Sequence, residues 1–489
     1  MRREASRAVV VGSGPNGLAA AITLARAGLA VDIFEAERIP GGAARTLELT
    51  LPGFHHDFGS AVHPMAAASP FFSSLGLQNY GLEWIHSPFA LAHPFDGGSA
   101  ITLERDLDTA ARVMREDGET WKGIVRPLVE HWDVLAPEVL SSLTRVPRHP
   151  ILLAQFGLRA VLPARALANG YFKNWRTKAL FAGLAAHSFL SLDDPLSAAV
   201  GIVLGAMAHV VGWPIPRGGA QNITTALLRL LQGAGAQLHT SVRVESIASL
   251  GSFQLALCDI TPKQLLHIAG ERFTPGYTRA LTQYRYGPGV FKIDYALSCP
   301  IPWRADECTR AATVHLGGTL NEIAASEHAV RQGRHAERPF VLLAQPTLFD
   351  PSRAPTGKHV AWAYCHVPNG SHVDMLGRVE AQIERFAPGF RDCILARNIL
   401  KPVDLQRCDA NLIGGDINGG DASLKQFVLR PSWRQYATSA SDIYICSSST
   451  PPGGGVHGMC GYNASVAALR RIGKTITTSN ASSSWGQFS

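Results

Sequence analysis

The stretch "RAVVVGSGPNGLAAAITLARAGLAVDIFEAE", Arg7 to Glu37, constrains the fold more than any other part of the chain. Ala8 to Val11 is a short apolar, β-branched run, the pattern of a strand buried on both faces. Gly12, Gly14 and Gly17 then spell G-x-G-x-x-G, with Pro15 and Asn16 between the last two. The first glycine permits a tight turn, the second lets backbone approach a pyrophosphate, and the third lets a helix pack on the strand. An Ala- and Leu-rich helix follows, and its free N–H groups and positive dipole end suit a phosphate. Gly28 is placed to cap it. A second strand, "AVDIF", leads to Glu35 and Ala36. An acid at that strand end accepts hydrogen bonds from ribose hydroxyls and repels a 2′-phosphate, which argues against NADP. Strand, glycine turn, helix, strand and acid together predict a dinucleotide site.

A second G-x-G-x-x-G lies near the C-terminus, at Gly453, Gly455 and Gly458 in "STPPGGGVHGMCGYNAS". It follows a credible strand, Asp442 to Cys446, and precedes a credible helix, "YNASVAALRRIGK". Beyond that helix there is no convincing second strand and no acid for a ribose, and a nucleotide-binding half needs both. The spelling does not make an independent second site.

The chain has 489 residues, 46% of them hydrophobic and 17% charged, enough for a large core and two or three domains. Net charge is +7, but the basic residues form no long run, so nucleic-acid binding is not expected. Eight cysteines lack C-x-x-C or any metal-ligand spacing. They read as ordinary buried thiols in a reducing compartment, with neither a metal nor a redox-active disulfide expected. "MRREASRAVVVGSG" imitates a signal peptide, but its apolar run is too short and continues into the glycine turn. The most membrane-like segment, Ala198 to Trp213, reads first as a buried helix and second as a helix dipping into a membrane surface.

After Glu35 the chain continues "RIPGGAARTLEL", with Gly41, Gly42 and Arg45, and then "FHHDFGSAVHP", with Asp57 and Gly59. These blocks resemble the FAD-binding superfamily that includes amine oxidases and phytoene desaturases. "PPGGGVHGMCGYNAS" resembles the loop of its phytoene desaturase and carotenoid isomerase branch. "GWPIPRGG", "GPGVFKIDYAL" and "QFVLRPSW" extend the likeness over nearly the whole chain, toward bacterial members related to pyridine nucleotide-disulfide oxidoreductase domain-containing protein 2. No C-x4-C pair follows the first glycine loop, so the "disulfide" of that name finds no support.

The resemblance implies one FAD. Gly12, Gly14, Pro15, Asn16, Gly17, Glu35, Ala36, Gly41, Gly42 and Arg45 would hold its nucleotide and phosphates, and the backbone at Val244 its adenine side. Gly454, Gly455, Val456 and Gly458 would cradle the flavin, with the helix end behind them stabilising negative charge on the reduced ring. Lys292 matches the lysine that holds a water against flavin N5 in amine oxidases; the plain alternative is a Lys292–Asp294 pair on a solvated face. His457 leads His63, His187 and His209 as a catalytic histidine. The expected architecture is α/β. A discontinuous Rossmann-like FAD domain of glutathione reductase type would comprise 1–94, 213–276 and 431–475. A helical cap (95–212), a substrate-binding sheet domain (277–430) and a disordered tail (476–489) complete it.

The expected function is an FAD-dependent oxidoreductase moving hydride between flavin N5 and a C–H or C=C of an apolar or amphiphilic, lipid- or polyene-like substrate. Desaturation, saturation and redox-neutral isomerisation stay open, with oxygen or a quinone as electron acceptor. A flavin amine oxidase, with an aromatic pair among Trp433, Tyr436 and Tyr462, is the alternative enzyme. A prenyl-binding scaffold of the same fold is the non-catalytic alternative. A cytoplasmic location, a peripheral membrane contact and a homodimer are all compatible with this reading.

Overall fold

The computed structural model describes residues 6–142 and 144–475, so the tail read at 476–489 lies outside the described residues. Five strands from three distant parts of the chain form a parallel sheet: β1 (Arg7–Val11), β2 (Ala30–Phe34), β9 (Gln237–His239), β10 (Leu255–Cys258) and β16 (Ile443–Ile445). Their order is β16-β10-β1-β2-β9. The helix Pro15–Arg26 starts on Pro15, whose fixed φ and missing N–H suit a first turn. A Cβ on Gly17 would overlap the Gly12 carbonyl oxygen, so only glycine lets the helix lie this close to the strand end.

The C-terminal strand β16 joins this same sheet, pairing with β10. Behind it the helix Met459–Arg471 packs on the helix Pro15–Arg26, and a Cβ on Gly461 would overlap the Asn16 carbonyl oxygen. The two glycine loops therefore belong to one unit. In the segment "AQLHTSVRVESI", Ala236 to Ile247, only β9 is a strand. The chain then runs beside the β2 end as a loop, with the Val242 N–H donating to the Glu35 carbonyl at 2.8 Å.

A second, seven-stranded sheet has the order β15-β11-β14-β13-β12-β6-β7. Its strands are β6 (Phe89–Phe95), β7 (Ser99–Glu104), β11 (Gly289–Leu297), β12 (Thr313–Leu316), β13 (Val341–Ala344), β14 (His359–Val367) and β15 (Ile394–Leu400). β6 thus enters the sheet from the end of the segment read as FAD domain (1–94) and β7 from the start of the region read as a helical cap, with Ala92 of β6 opposite Val314. β11 is buried along its whole length. Phe291, Ile293, Tyr295 and Leu297 share a core with Val379, Ile383 and Phe386 of the helix Leu376–Phe386. Two short pairs, β3 (Thr46–Glu48) with β4 (His55–Asp57) and β5 (Trp84–Ile85) with β8 (Ile215–Pro216), lie apart from both sheets.

Helices cover the other face of the second sheet. Trp175–Ala186 is anchored where Gly183 meets the His315 ring of β12. Ser197–Val210 packs on it, with Gly201 against Ala185 and Gly205 against Trp121. The apolar segment Ala198 to Trp213 is therefore core, not a helix lying on a membrane. Exposed apolar side chains stand elsewhere, on and around the helix Pro150–Ala160: Val146, Ile151 and Leu158 are each more than 70% exposed. Among the described residues no single helix is long and apolar enough to cross a membrane; Pro150–Ala160 and Ala164–Tyr171 form a pair bent by 95°.

One buried ion pair ties these pieces together. Asp57 Oδ2 accepts from Arg353 Nη2 at 2.7 Å, and both side chains are essentially inaccessible. Asp57 Oδ1 accepts from the Thr46 hydroxyl at 2.9 Å and from the Ala220 N–H at 2.8 Å. Burial raises the Asp57 carboxyl, but Arg353 and these donors outweigh it and hold it below the usual carboxylate range. Removing one member strands a buried charge, which costs about 3–5 kcal/mol. Arg353→Met is expected to lower the thermal midpoint by that measure, and Asp57→Asn added to it to recover part of the loss, as read by calorimetry. A midpoint unchanged in Arg353→Met would show that the pair does not join the segments energetically.

Candidate active site

Around the first glycine loop the structure assembles a cradle with more acid than the sequence suggested. Glu35 is buried, and its Oε2 accepts from the Ser13 N–H at 2.9 Å and the Ser13 hydroxyl at 2.5 Å. Its Oε1 accepts from the Glu37 N–H at 2.9 Å. Val244 packs near this point, beside the core that holds Val9 and Val11, while Ala36 is half-buried. Asp259 follows β10, and its Oδ2 accepts from the Gly17 N–H at 2.8 Å. A Cβ on Gly14 would lie 2.8 Å from that same oxygen. Burial pushes the Asp259 carboxyl up to about 7, and Asp409 and Glu35 add to the rise.

Gly41 and Gly42 have φ of +129° and +56°, and a Cβ on Gly42 would come within 3.2 Å of the Gly14 Cα. Arg45 turns back on this loop. Its Nε donates to the Gly42 carbonyl at 2.6 Å, its Nη2 to the Cys408 carbonyl at 2.9 Å, and its guanidinium lies 5.0 Å from the Phe58 ring. Asn411 joins from the same segment as Cys408, its Nδ2 donating to the Asp259 carbonyl at 3.0 Å. Asp409 and Asn411 escaped the sequence reading because "QRCDANL" carries no motif, and Asp259 because the strand end "LALCD" carries none either. Only the fold brings them to the glycine loop.

The glycine cradle, the N-terminus of the helix Pro15–Arg26 without a side-chain cap on Gly14, and the acid on β2 fit a dinucleotide. Asn16 is buried, and its Oδ1 finds no partner among the described residues. Within the second loop, Gly455 has φ of +128° and its Cβ would meet Met65 Sδ at 2.8 Å. A Cβ on Gly454 would meet Asn418 Oδ1 at 2.7 Å, Val456 is half-buried, and Gly458 caps the last helix at φ +69°.

His457 is fully buried in this loop. Its Nδ1 accepts from the Met459 N–H at 3.0 Å, which puts its proton on Nε2. Nε2 has no partner among the described residues, and burial pushes the imidazole down to about 4. His457 is thus a neutral donor, not a base. His209 is a satisfied core residue between Trp121 Nε1 and the Arg105 carbonyl. His187 bonds His315 at 2.9 Å, and His63 is buried with Nε2 unpartnered among the described residues.

Lys292 forms the pair with Asp294 that its spacing allowed, but on a buried face rather than a solvated one. Burial raises the Asp294 carboxyl, with Lys292 working the other way, and Asn398 of β15 donates to its Oδ2 at 3.2 Å. His56, from β4, stands 3.9 Å from Asp294 and is held neutral, its imidazole pushed down to about 3 by burial and then by Lys292 and Arg353. Across the strand pair, Tyr364 lies opposite Lys292 and Trp362 opposite Asp294. Their rings stack at 5.5 Å, and Lys292 Nζ is 5.8 Å from the Trp362 ring. The alternation in "HVAWAYCHV" puts Trp362, Tyr364 and His366 on one face and could have exposed this wall. The aromatic candidates chosen instead scatter: Trp433 is 72% exposed, the Tyr436 hydroxyl donates to the Pro451 carbonyl, and Tyr462 packs on Phe71. Among the described residues no three His, Cys, Asp or Glu side chains gather to hold a metal.

Comparison with known proteins agrees with this geometry. The family described as NAD(P)-binding Rossmann-like domain matches residues 10–75. The chain is 27% identical over 557 aligned positions to rat (Rattus norvegicus) pyridine nucleotide-disulfide oxidoreductase domain-containing protein 2, covering 95% of this chain and 93% of that protein. It is 26% identical to the phytoene dehydrogenase of Streptomyces griseus, over 79% of this chain and 77% of the other. The crystal structure of an oxidoreductase from Methanosarcina mazei superposes with a TM-score of 0.63 at 16% identity, covering 94% and 99% of the two chains. The likeness to phytoene-desaturase-like oxidoreductases carried by the glycine loops therefore extends over nearly the whole chain, on the Rossmann-like fold those loops imply.

Proposed function

We propose that the protein is an FAD-dependent oxidoreductase acting on an uncharged, apolar, lipid- or polyene-like substrate, with hydride passing between flavin N5 and a substrate carbon. The observation that carries the reading is the union of the two glycine loops in one sheet: Gly461 against Asn16 closes the C-terminal loop onto the dinucleotide cradle. Bound there, FAD supplies the hydride acceptor or donor. The residues of the chain bind, orient and exclude water. Glu35 takes the ribose hydroxyls, the first turn of the helix Pro15–Arg26 the phosphates, and Gly454 to Gly458 the ring. Trp362, Tyr364 and the buried Lys292–Asp294 pair wall the substrate side. Oxygen or a quinone accepts the electrons where the reaction is an oxidation.

The test is spectroscopic. The purified protein is expected to be yellow, and its flavin absorbance to bleach anaerobically on addition of a polyene or lipid from a panel that also holds amines and quinols. Protein that stays colourless after incubation with FAD would overturn the reading in favour of a scaffold, and bleaching by amines alone would turn it into an amine oxidase.

Exposed Val146, Ile151 and Leu158, with exposed Arg145 beside Val146, offer a surface where a substrate could be loaded from an anionic bilayer. The wild type is expected to float with phosphatidylglycerol vesicles and an Ile151→Glu/Leu158→Glu variant to stay behind. Equal partitioning of the two would remove the bilayer from the proposal.

FAD retention separates the two acids of the cradle. Glu35→Ala removes charge-assisted bonds worth about 1.5–3 kcal/mol, so the dissociation constant is expected to rise about 10- to 100-fold; an unchanged constant would dismiss the ribose assignment. Asp259 works in the opposite sense. Its raised carboxyl stays neutral below about 7, and its charge appears as pH rises through that value. FAD is therefore expected to bind more weakly at high pH in the wild type and without that pH dependence in Asp259→Asn, as measured by fluorescence titration.

Lys292→Met is expected to slow reoxidation of the reduced flavin by oxygen by about 100-fold, the size of losing one fixed donor in a dry site. Stopped-flow absorbance on folded variant checks it, and an unchanged rate would leave Lys292 as the structural partner of Asp294 alone.

A further inference from the structure

Cys299 and Cys393 are 94 residues apart in sequence, and their sulfurs are 2.7 Å apart in the fold. Cys299 follows the end of β11 and Cys393 precedes the start of β15, where Leu297 and Ile394 are paired. The backbones are fixed by the Ser298 N–H donating to the Cys393 carbonyl at 2.7 Å, with the Ser298 hydroxyl on the same oxygen at 3.1 Å. Of the eight cysteines six are buried, Cys408 is exposed, and Cys299 is partly exposed. An ordinary buried thiol has no such neighbour.

We propose that Cys299 and Cys393 are a thiol–disulfide modification site, closed by a small-molecule disulfide such as oxidised glutathione, that staples the edge strand β15 to β11. The Cys299 thiolate attacks one sulfur of the reagent; the reagent's S–S bond breaks, and one glutathione leaves as thiolate. Cys393 then gives its proton to solvent and attacks the Cys299 sulfur, expelling the second glutathione thiolate. Two protein thiols are oxidised, one reagent disulfide is reduced, and two protons are released.

The geometry orders the steps. Cys299 is the partly exposed member of the pair and Cys393 the buried one. Burial, and the Cys299 sulfur beside it, push the Cys393 thiol up to about 12, so it opens no exchange itself. Once Cys299 carries the glutathionyl group, contact distance makes the second attack intramolecular, at a high effective concentration. Among the described residues β15 is bonded only to β11, with no strand on its outer side. It also supplies Asn398, which donates to Asp294, the partner of Lys292. The staple therefore stands at the far end of the strand pair that positions the buried ion pair.

The experiment treats the full-length protein with reduced or oxidised glutathione and maps non-reduced peptides by mass spectrometry. Cys408, exposed, serves as the internal control and is expected to take up glutathione. The expected product is a Cys299–Cys393 cross-linked peptide, two hydrogen masses below the sum of its parts. In Cys393→Ser the exchange is expected to stop with glutathione retained on Cys299, and in Cys299→Ser Cys393 is expected to stay unmodified. Free Cys299 and Cys393 under conditions that fully modify Cys408, or glutathione retained on wild-type Cys299, would overturn the site. Hydrogen exchange of the β15 amides is expected to slow in the cross-linked form; equal exchange in both forms would overturn the staple.

Discussion

The Asp57 carboxylate is the point on which the arrangement of the two sheets depends. Its three contacts reach β3 through Thr46, the entry to the helix Gln221–Gly233 through Ala220, and the segment between β13 and β14 through Arg353. Arg353 in turn donates to the His55 carbonyl at 3.2 Å. One buried anion thus holds a hairpin that leaves the nucleotide cradle, a helix that returns to it, and the sheet that carries Lys292. The cost of burying the charge is offset only because every contact is in place together, which makes the junction all-or-none. His56 follows from this: placed between His55 and Asp57 on β4, it is delivered to Asp294 by the same hairpin.

The nucleotide cradle depends on a different physical constraint, the closeness of backbones. Gly17 against Gly12, Gly461 against Asn16, and Gly42 against Gly14 are contacts in which a single Cβ would displace main chain. They bring three separate glycine segments to one helix N-terminus. The second G-x-G-x-x-G is therefore spelled by packing as much as by ligand. Gly458 caps its helix in the left-handed region, a Cβ on it would press on Ala19 and Phe72, and Gly455 leaves room for Met65.

Much of this was legible in the sequence because it is local. The strand, glycine turn, helix and acid of Arg7 to Glu37 each carry their own pattern, and the missing strand and acid after Gly458 argued against a second site. What was not legible is non-local. Asp259, Asp409 and Asn411 converge only through the crossing of β10 and the loop after Pro402–Cys408. Alternation in the strand His359–Val367 groups Trp362 and Tyr364 on one face, but the strand is buried almost throughout, so only the sheet register says that this face meets Lys292 and Asp294. Ala198 to Trp213 read first as a buried helix and is one; a membrane-surface helix stayed open as the second reading because a helix apolar all round is what a core requires as much as what a membrane requires.

The electrostatics of the wall bear on what kind of molecule could lie against it. Lys292 with Asp294 and Arg353 with Asp57 are two matched pairs, and their sum is zero whichever way the proton sits between Lys292 and Asp294. Four buried histidines add no charge: burial pushes His56 and His187 down to about 3 and His63 and His457 down to about 4. A cationic amine brought into such a place would be desolvated beside carboxylates that already have partners, Asp294 with Lys292, Asp57 with Arg353 and Glu327 with His366, and that penalty is several kcal/mol. An uncharged hydrocarbon meets no such penalty and gains from the aromatic surface of Trp362 and Tyr364. The pairing of every one of these carboxylates weighs against a cationic amine and fits the apolar substrate proposed above.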